Sequence, residues 1–235
     1  MRTVLITGTS RRLGRYLTDF YLSKNYSVIS ISRSDLVFSG LHTDSHLEHF
    51  KIENYDANTA IFVGNQIVEK YPSIDLVIHN ASIFKSDEEC SENLIDSYTK
   101  MIDVHMLFPS MLNRALVPSL KESENSNIIH ITDIFAENPS TKFSYYSSTK
   151  SGLESLTKSL ANKYAPNIRV NSIQPGPIKF LSQHSDDEKI EVLNETLIKT
   201  EGGFKPILDT IEFIFDNTFI TGAAIKVDGG RSLNR

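Results

Sequence analysis

Three side chains in the second half of the chain have the types and spacing for proton-transfer chemistry. Tyr146 and Lys150 form a Tyr-x-x-x-Lys pair within Tyr145-Tyr146-Ser147-Ser148-Thr149-Lys150, and Asp133 lies thirteen residues before the tyrosine. On a helix, residues four apart share a face, one turn from each other. An ammonium beside a phenol favours the phenolate and lowers the tyrosine pKa. At ~4 Å the Coulomb attraction is about 4 kcal/mol for an effective dielectric near ~20. That is an upper limit of roughly three pKa units, enough to bring a phenol toward neutrality. Such a tyrosine gives or takes a proton at working pH. Asp133 ends the run Ile128-Ile129-His130-Ile131-Thr132. Reducing a ketone builds negative charge on oxygen, which a neighbouring carboxylate opposes. Reducing a C=N bond puts a proton on nitrogen, which a carboxyl group assists. If the triplet serves a reduction, Asp133 points to an imine-like substrate.

The elements that must hold these residues alternate between strand and helix. Val4–Ile6, Val28–Ile31, Leu47–Ile52, Ile74–Ile78, Ile128–Ile131, Ile168–Ile173 and Ala223–Val227 read as strands. Helical periodicity covers Leu13–Lys24, Ala57–Lys70, Leu94–Leu116 and Tyr145–Tyr164. This order predicts βαβ units in one α/β domain spanning 1–235, a Rossmann-like, doubly wound and mostly parallel seven-stranded sheet flanked by helices. The polar segment 179–203 follows a strand end and contains Asp186-Asp187-Glu188-Lys189. Its charge suits a solvated surface helix, and its place suits a cover over the substrate.

Composition excludes several classes. With 40% hydrophobic and 23% charged residues the chain is ordinary for a globular protein. A net charge of -5 without a basic stripe argues against nucleic-acid binding. The single cysteine, Cys90, cannot form an internal disulfide, which suits a reducing compartment. The opening apolar run is too short for a signal peptide or a membrane span, so a cytoplasmic enzyme is the expectation. His42, His46 and His49 lie close together, but no supporting Cys or carboxylate set accompanies them, so no metal site is expected.

Thr7-Gly8-Thr9-Ser10-Arg11-Arg12-Leu13-Gly14 follows the first strand and opens the first helix. Gly8 permits a tight turn, and Gly14 permits close backbone approach. The amides at the start of that helix can hold a pyrophosphate. At the end of the second strand, where a carboxylate would bind the 2′-hydroxyl of NAD, stand Ser32, Arg33 and Ser34, with Asp35 just beyond. An arginine flanked by hydroxyls suits the 2′-phosphate of NADPH, and Arg11 adds positive charge.

Tyr146, Lys150 and the glycine loop together resemble the short-chain dehydrogenase/reductase family, over nearly the whole chain from Thr3 to about Leu233. That family usually has serine where Asp133 stands and a third glycine where Arg12 stands. Both departures resemble the pteridine reductases of the family, in particular the bacterial dihydromonapterin reductases. The resemblance implies that Arg12 reaches the cofactor phosphate and the pterin. His79-Asn80-Ala81-Ser82-Ile83-Phe84 is similar to the family turn that lies against the cofactor, so Asn80, Ala81 and Ser82 are implied as cofactor contacts. Phe84 would stack on the pterin, where an aromatic face suits a planar ring, although core packing explains a phenylalanine equally simply. Asp56 is either an adenine-pocket residue by resemblance or a helix cap. Pro175 and Gly176 resemble the turn beside the nicotinamide, and Asp228-Gly229-Gly230 resembles a structural element near the C-terminus. His105 stands where the family has an asparagine, as a proton relay or as a packed helix residue.

The implied activity is NADPH-dependent reduction of a 7,8-dihydropterin, with Asp133, Tyr146 and Lys150 catalytic and Arg12, Ser82, Phe84, Asp133 and Tyr146 on the substrate. Dihydromonapterin is favoured and dihydrofolate secondary. A general carbonyl reductase and an NADP-binding sensor without turnover are the alternatives. The resemblance also implies a homotetramer or homodimer.

Overall fold

Seven short runs of β-branched and apolar residues pair into one sheet. A computed structural model of the protein describes residues 1–36, 46–182 and 184–234 of its 235 residues. The strands are β1 (Thr3–Thr7), β2 (Ser27–Ser32), β3 (Leu47–Lys51), β4 (Leu76–His79), β5 (Ser126–Ile131), β6 (Ile168–Pro175) and β7 (Ala224–Val227). Their order is β3-β2-β1-β4-β5-β6-β7, and every pairing is parallel. Parallel strands are covered on both faces, which is why β1, β2, β4, β5 and β6 are buried along their whole length.

Two apolar layers fill the two faces. On one, helices α1 (Arg12–Ser23) and α8 (Lys205–Asp216) pack Leu13, Leu17, Tyr21, Ile207, Ile211 and Phe215 against the sheet. On the other, α2 (Ala57–Lys70), α5 (Phe108–Lys121) and α6 (Ser144–Tyr164) pack Val63, Ile67, Leu112, Leu116 and Leu160. The remaining helices are α3 (Asp87–Cys90), α4 (Leu94–Ile102) and α7 (Asp186–Glu195). Helices α2 and α5 approach so closely that a Cβ on Gly64 would sit 2.6 Å from the Cβ of Ala115. Overpacking of this kind costs about 1–3 kcal/mol. Gly64→Val is therefore expected to lower unfolding stability by that amount in a urea titration, with an unchanged slope.

Two departures from the sequence reading shape the core and the site. The stretch 204–222, which that reading leaves unassigned, contains α8. Its residues Ile207, Leu208, Ile211, Ile214 and Phe215 recur at helical spacing, and a proline occupies its first turn, so the signal is present in the sequence. The expected single helix Leu94–Leu116 is instead α4, a π-helical turn (Asp103–Leu107) and α5. The physical cause is Pro109. It has no N–H to give the carbonyl of His105, four residues back, and its ring would clash there. The chain widens, and the Phe108 N–H bonds the Asp103 carbonyl, five residues back. This places His105 in the site.

Candidate active site

The sheet order reverses between β1 and β4, and the loops after the strand ends on either side of that point gather the sequence-predicted residues. Asp133, directly after β5, caps a short 3-10 turn (Ile134–Ala136), with its Oδ1 accepting from the Phe135 amide at 2.9 Å. Its Oδ2 accepts from the Tyr146 hydroxyl at 2.9 Å. Helix α6 carries Tyr146 and Lys150 one turn apart, both buried. The two groups thirteen residues apart in sequence are thus directly bonded.

Their electrostatics correct one expectation. The Tyr146 phenol is pushed well above its ordinary pKa, by burial first and then by the Asp133 carboxylate, with the Ser82 hydroxyl opposing. Lys150 does not bring it toward neutrality. The ammonium is 5.6 Å from the centre of the Tyr146 ring and donates to the Ile131 carbonyl at 3.0 Å. Burial lowers Lys150 itself to about 8, while Asp133 and Glu154 raise it. Burial also raises Asp133, against the opposing effects of the Phe135 amide, Lys150, Tyr146 and Arg231. Spacing alone would let the nearest charge decide. Here loss of water outweighs it, and the nearest charge to the phenol is negative.

Phe84 is placed beside the reacting group. Its ring meets Tyr146 edge-on with centroids 4.8 Å apart and stacks on Phe143 at 4.5 Å. It remains 44% exposed, so it is not a buried core residue, and one aromatic surface next to Tyr146 is open. Phe135 and Phe143 stack behind it, two residues the sequence reading does not single out.

His105 is fixed rather than mobile as a proton carrier. Its Nε2 accepts from the Ile83 amide at 3.2 Å and lies 2.8 Å from the Ser82 Oγ. An N–H donor leaves that nitrogen unprotonated, so Nδ1 carries the proton and donates to the Thr149 Oγ1 at 2.8 Å. The threonine hydroxyl in turn donates to the Tyr146 carbonyl. Burial, and then Lys150, push the imidazole well below its usual pKa, so it is neutral. His105 therefore ties the Ser82–Ile83 turn to α6.

The glycine loop is built as expected. Gly8 has φ +73°, and a Cβ there would lie 2.8 Å from the Ala81 Cα. A Cβ on Gly14 would lie 2.1 Å from the Gly8 carbonyl oxygen. Asn80 donates from Nδ2 to the carbonyls of Thr7 and Gly8, and the Asn80 and Ala81 amides both donate to the Thr7 hydroxyl. Leu13 packs in the core beneath the loop. Gly176 packs against Asp228, whose Cα would lie 2.7 Å from an added Cβ, so the turn after Pro175 abuts the end of β7.

The residues present fit a dinucleotide phosphate. The start of α1 has no side-chain cap, which is also true of α5, α6 and α8, but α1 alone opens from the glycine loop. Arg11 occupies its N-cap position, and no acidic residue stands in its first turn. The amides of this turn are thus left for an anion. Past β2, the buried Ser32 hydroxyl donates to the Ser34 carbonyl, while Arg33 is exposed. Asp35, whose charge would favour a ribose hydroxyl, is drawn onto Lys51 at 2.7 Å. Asp56 caps α2 through the Thr59 amide, the structural of its two readings. His49 bonds the Ser30 hydroxyl through Nδ1, and His42 lies outside the described residues.

Arg12 is bonded to the covering segment. Its guanidinium donates to the carbonyls of Lys179 and Phe180, at the start of the covering segment, with the Phe180 contact at 3.3 Å. Its backbone has φ +52°, the left-handed region that glycine tolerates and arginine does not favour. Arg12→Gly is therefore expected to stabilise the folded chain by roughly 1 kcal/mol through relief of that backbone, while releasing segment 179–203. Denaturant unfolding would read the first effect and limited proteolysis at Lys179 or Lys189 the second. That segment contains α7, which buries none of its residues, and its end is held by Arg231, bonded to Glu195 at 2.6 Å and lying over the Phe135 ring. Arg231 and Glu195 carry no sequence signal, because they meet only through the fold.

A parallel doubly wound sheet with a glycine loop at its switch point, and a buried tyrosine and lysine on α6 beside the end of β5, define a nucleotide-dependent dehydrogenase. Residues 2–191 match the model of the short chain dehydrogenase family, and the chain belongs to that family. It is 31% identical over 234 residues to dihydromonapterin reductases of Escherichia coli and of Shigella boydii, covering 98% of this chain and 96% of theirs. Among solved structures it superposes on 4-hydroxyisoleucine dehydrogenase complexed with NADH, with a TM-score of 0.86, 24% identity and 100% of both chains covered. Thermoplasma acidophilum aldohexose dehydrogenase gives 0.87 at 22% identity, covering 99% of this chain and 94% of that one. The protein is thus an oxidoreductase of this family, similar to dihydromonapterin reductase. No helix among the described residues is long and apolar enough to cross a membrane.

Proposed function

We propose that the protein reduces a 7,8-dihydropterin to its tetrahydro form with NADPH, with dihydromonapterin the favoured substrate and dihydrofolate a secondary one. The observation that carries this reading is the Asp133–Tyr146 pair. A buried carboxyl with a raised pKa, bonded at 2.9 Å to a phenol that stays protonated, is a store of protons rather than a host for an alkoxide. Similarity to dihydromonapterin reductases over nearly the whole chain supports the same substrate class.

When bound, the nicotinamide supplies the hydride that C6 of the substrate receives. The chain's own residues do the rest. The open face of Phe84 holds the planar ring. Asp133 and Tyr146 deliver the proton that N5 gains as the C=N bond becomes C–N. Lys150 anchors the nicotinamide ribose, and Ser82, fixed by His105, lines the same pocket. The amides at the start of α1 would hold the phosphate groups, and Arg33 with the Ser32–Ser34 turn would receive the 2′-phosphate. We propose further that the protein assembles as a homotetramer or homodimer in the cytoplasm, which analytical ultracentrifugation would check for the assembly.

The test is NADPH oxidation by pure protein with dihydromonapterin, dihydrofolate and dihydrobiopterin beside a panel of ketones. Turnover of a dihydropterin is the expected result. Activity on ketones alone overturns the reading and leaves a general carbonyl reductase. Tight NADPH binding without turnover of any substrate leaves a sensor.

A further inference from the structure

We infer that Glu154 is the internal counter-ion that keeps Lys150 charged through the reaction, and is thus a positioning residue of the site. The inference rests on the roles of Lys150 and Asp133 proposed above. Tyr146, Lys150 and Glu154 fall four residues apart on α6 and form one buried stripe. A glutamate in that position is unusual, because an acidic side chain is rarely buried unless it is paired.

Its carboxylate is held by three neutral donors. Oε1 accepts from the Thr132 hydroxyl and from the Gln174 amide at 3.1 Å, and Oε2 accepts from the Ser172 hydroxyl at 2.8 Å. These donors fix the carboxylate and cancel none of its charge. The Lys150 ammonium is bonded to the carbonyl of Ile131, the residue before Thr132. Cation and anion are thus held by consecutive residues at the end of β5.

The groups facing Lys150 decide what the anion is for. From the turn after β5 comes Asp133, from α6 come Tyr146 and Glu154, from the π-helical turn His105, and from β5 His130. Both histidines are pushed well below their usual pKa by burial and are neutral, and the phenol is protonated. Only the two carboxylates offer negative charge among these groups. Asp133 loses its charge whenever it takes up the proton it is to deliver. Glu154 touches no reacting atom and takes up no proton in the proposed reaction. Burial has already brought Lys150 down to about 8, close to working pH, so the loss of one anion decides whether the ammonium persists.

The test follows the ionisation of Lys150 directly, in protein carrying ¹³C-labelled lysine, with the Lys150 signal assigned by its absence in Lys150→Arg. Glu154→Gln keeps the shape, and the Ser172 hydroxyl can turn to accept from the new amide. Its Lys150 midpoint is expected roughly one pH unit below that of the wild type, a tenfold shift in the ionisation constant. Glu154→Ala, which removes the group altogether, is expected to shift it in the same direction. The alkaline limb of dihydropterin turnover should move with the midpoint, while the plateau at lower pH is kept. A midpoint that stays in place in both folded variants overturns the inference and makes Glu154 a core residue only. The titration needs neither cofactor nor substrate. A shifted midpoint in a protein that reduces no pterin would therefore leave this inference standing and remove the proposed function.

Discussion

Tyr146→Phe is expected to lower dihydropterin turnover by roughly 10²- to 10⁴-fold, the range for loss of a positioned proton donor. NADPH affinity should change little, because the ring stays and only the hydroxyl is lost. The size of the effect follows from how the phenol is held. It is buried, it stays protonated, and it donates to the Asp133 carboxylate at 2.9 Å. Stopped-flow single turnovers, with binding read separately by fluorescence quenching, check both halves. A fall in NADPH affinity that accounts for the whole loss would mean that Tyr146 positions the cofactor and does not handle protons.

Asp133→Asn is expected to lower turnover at neutral pH by about 10²-fold and to remove a pH limb. The sign follows from the direction of the shift. Burial raises the Asp133 carboxyl above its ordinary pKa. Its protonated form, the one able to donate, is populated below that raised value and is lost as pH rises through it. Wild-type activity should therefore decline on that side, and the asparagine variant should lack the decline. In the asparagine variant, folding stability should move the opposite way to activity. A carboxyl whose folded pKa is raised binds more protons folded than unfolded, so its contribution is fully present below the unfolded pKa and lost as pH rises through the folded one. The asparagine variant should thus be more stable than the wild type near neutrality, and less distinguishable from it in acid. Urea midpoints at two pH values measure this. Asp133→Ser offers the complementary outcome, since a gain on ketones would show that the carboxylate selects against an alkoxide.

The alternation of strand and helix was legible because a parallel sheet must be apolar on both faces, and runs such as Val4–Ile6 and Ile128–Ile131 say so in their residues. Helix α8 was legible too, from its periodicity, though the polar stretch before it drew attention to a cover rather than to a helix. The π-helical turn was less accessible. Pro109 marks a disturbance in the helix, but only the packed chain shows that the disturbance turns His105 toward Ser82 and Thr149.

The spacing of Asp133, Tyr146 and Lys150 determined which groups share the site, since thirteen residues span a turn and bring a strand end back to the helix that follows it. The glycines at 8 and 14 likewise fixed the loop between β1 and α1, because no other residue fits contacts of 2.8 and 2.1 Å. What these groups do to one another was decided by tertiary structure. Burial, which no spacing reports, raises Tyr146 and Asp133 and lowers Lys150. Arg12 bonds the chain at Lys179 and Phe180, and Glu154 meets donors from β6, because strands and loops far apart in sequence are brought together across the sheet. Periodicity and motif are local quantities and can be read along the chain. Desolvation and the partner across a fold depend on everything packed around a group, and exist only once the chain has folded.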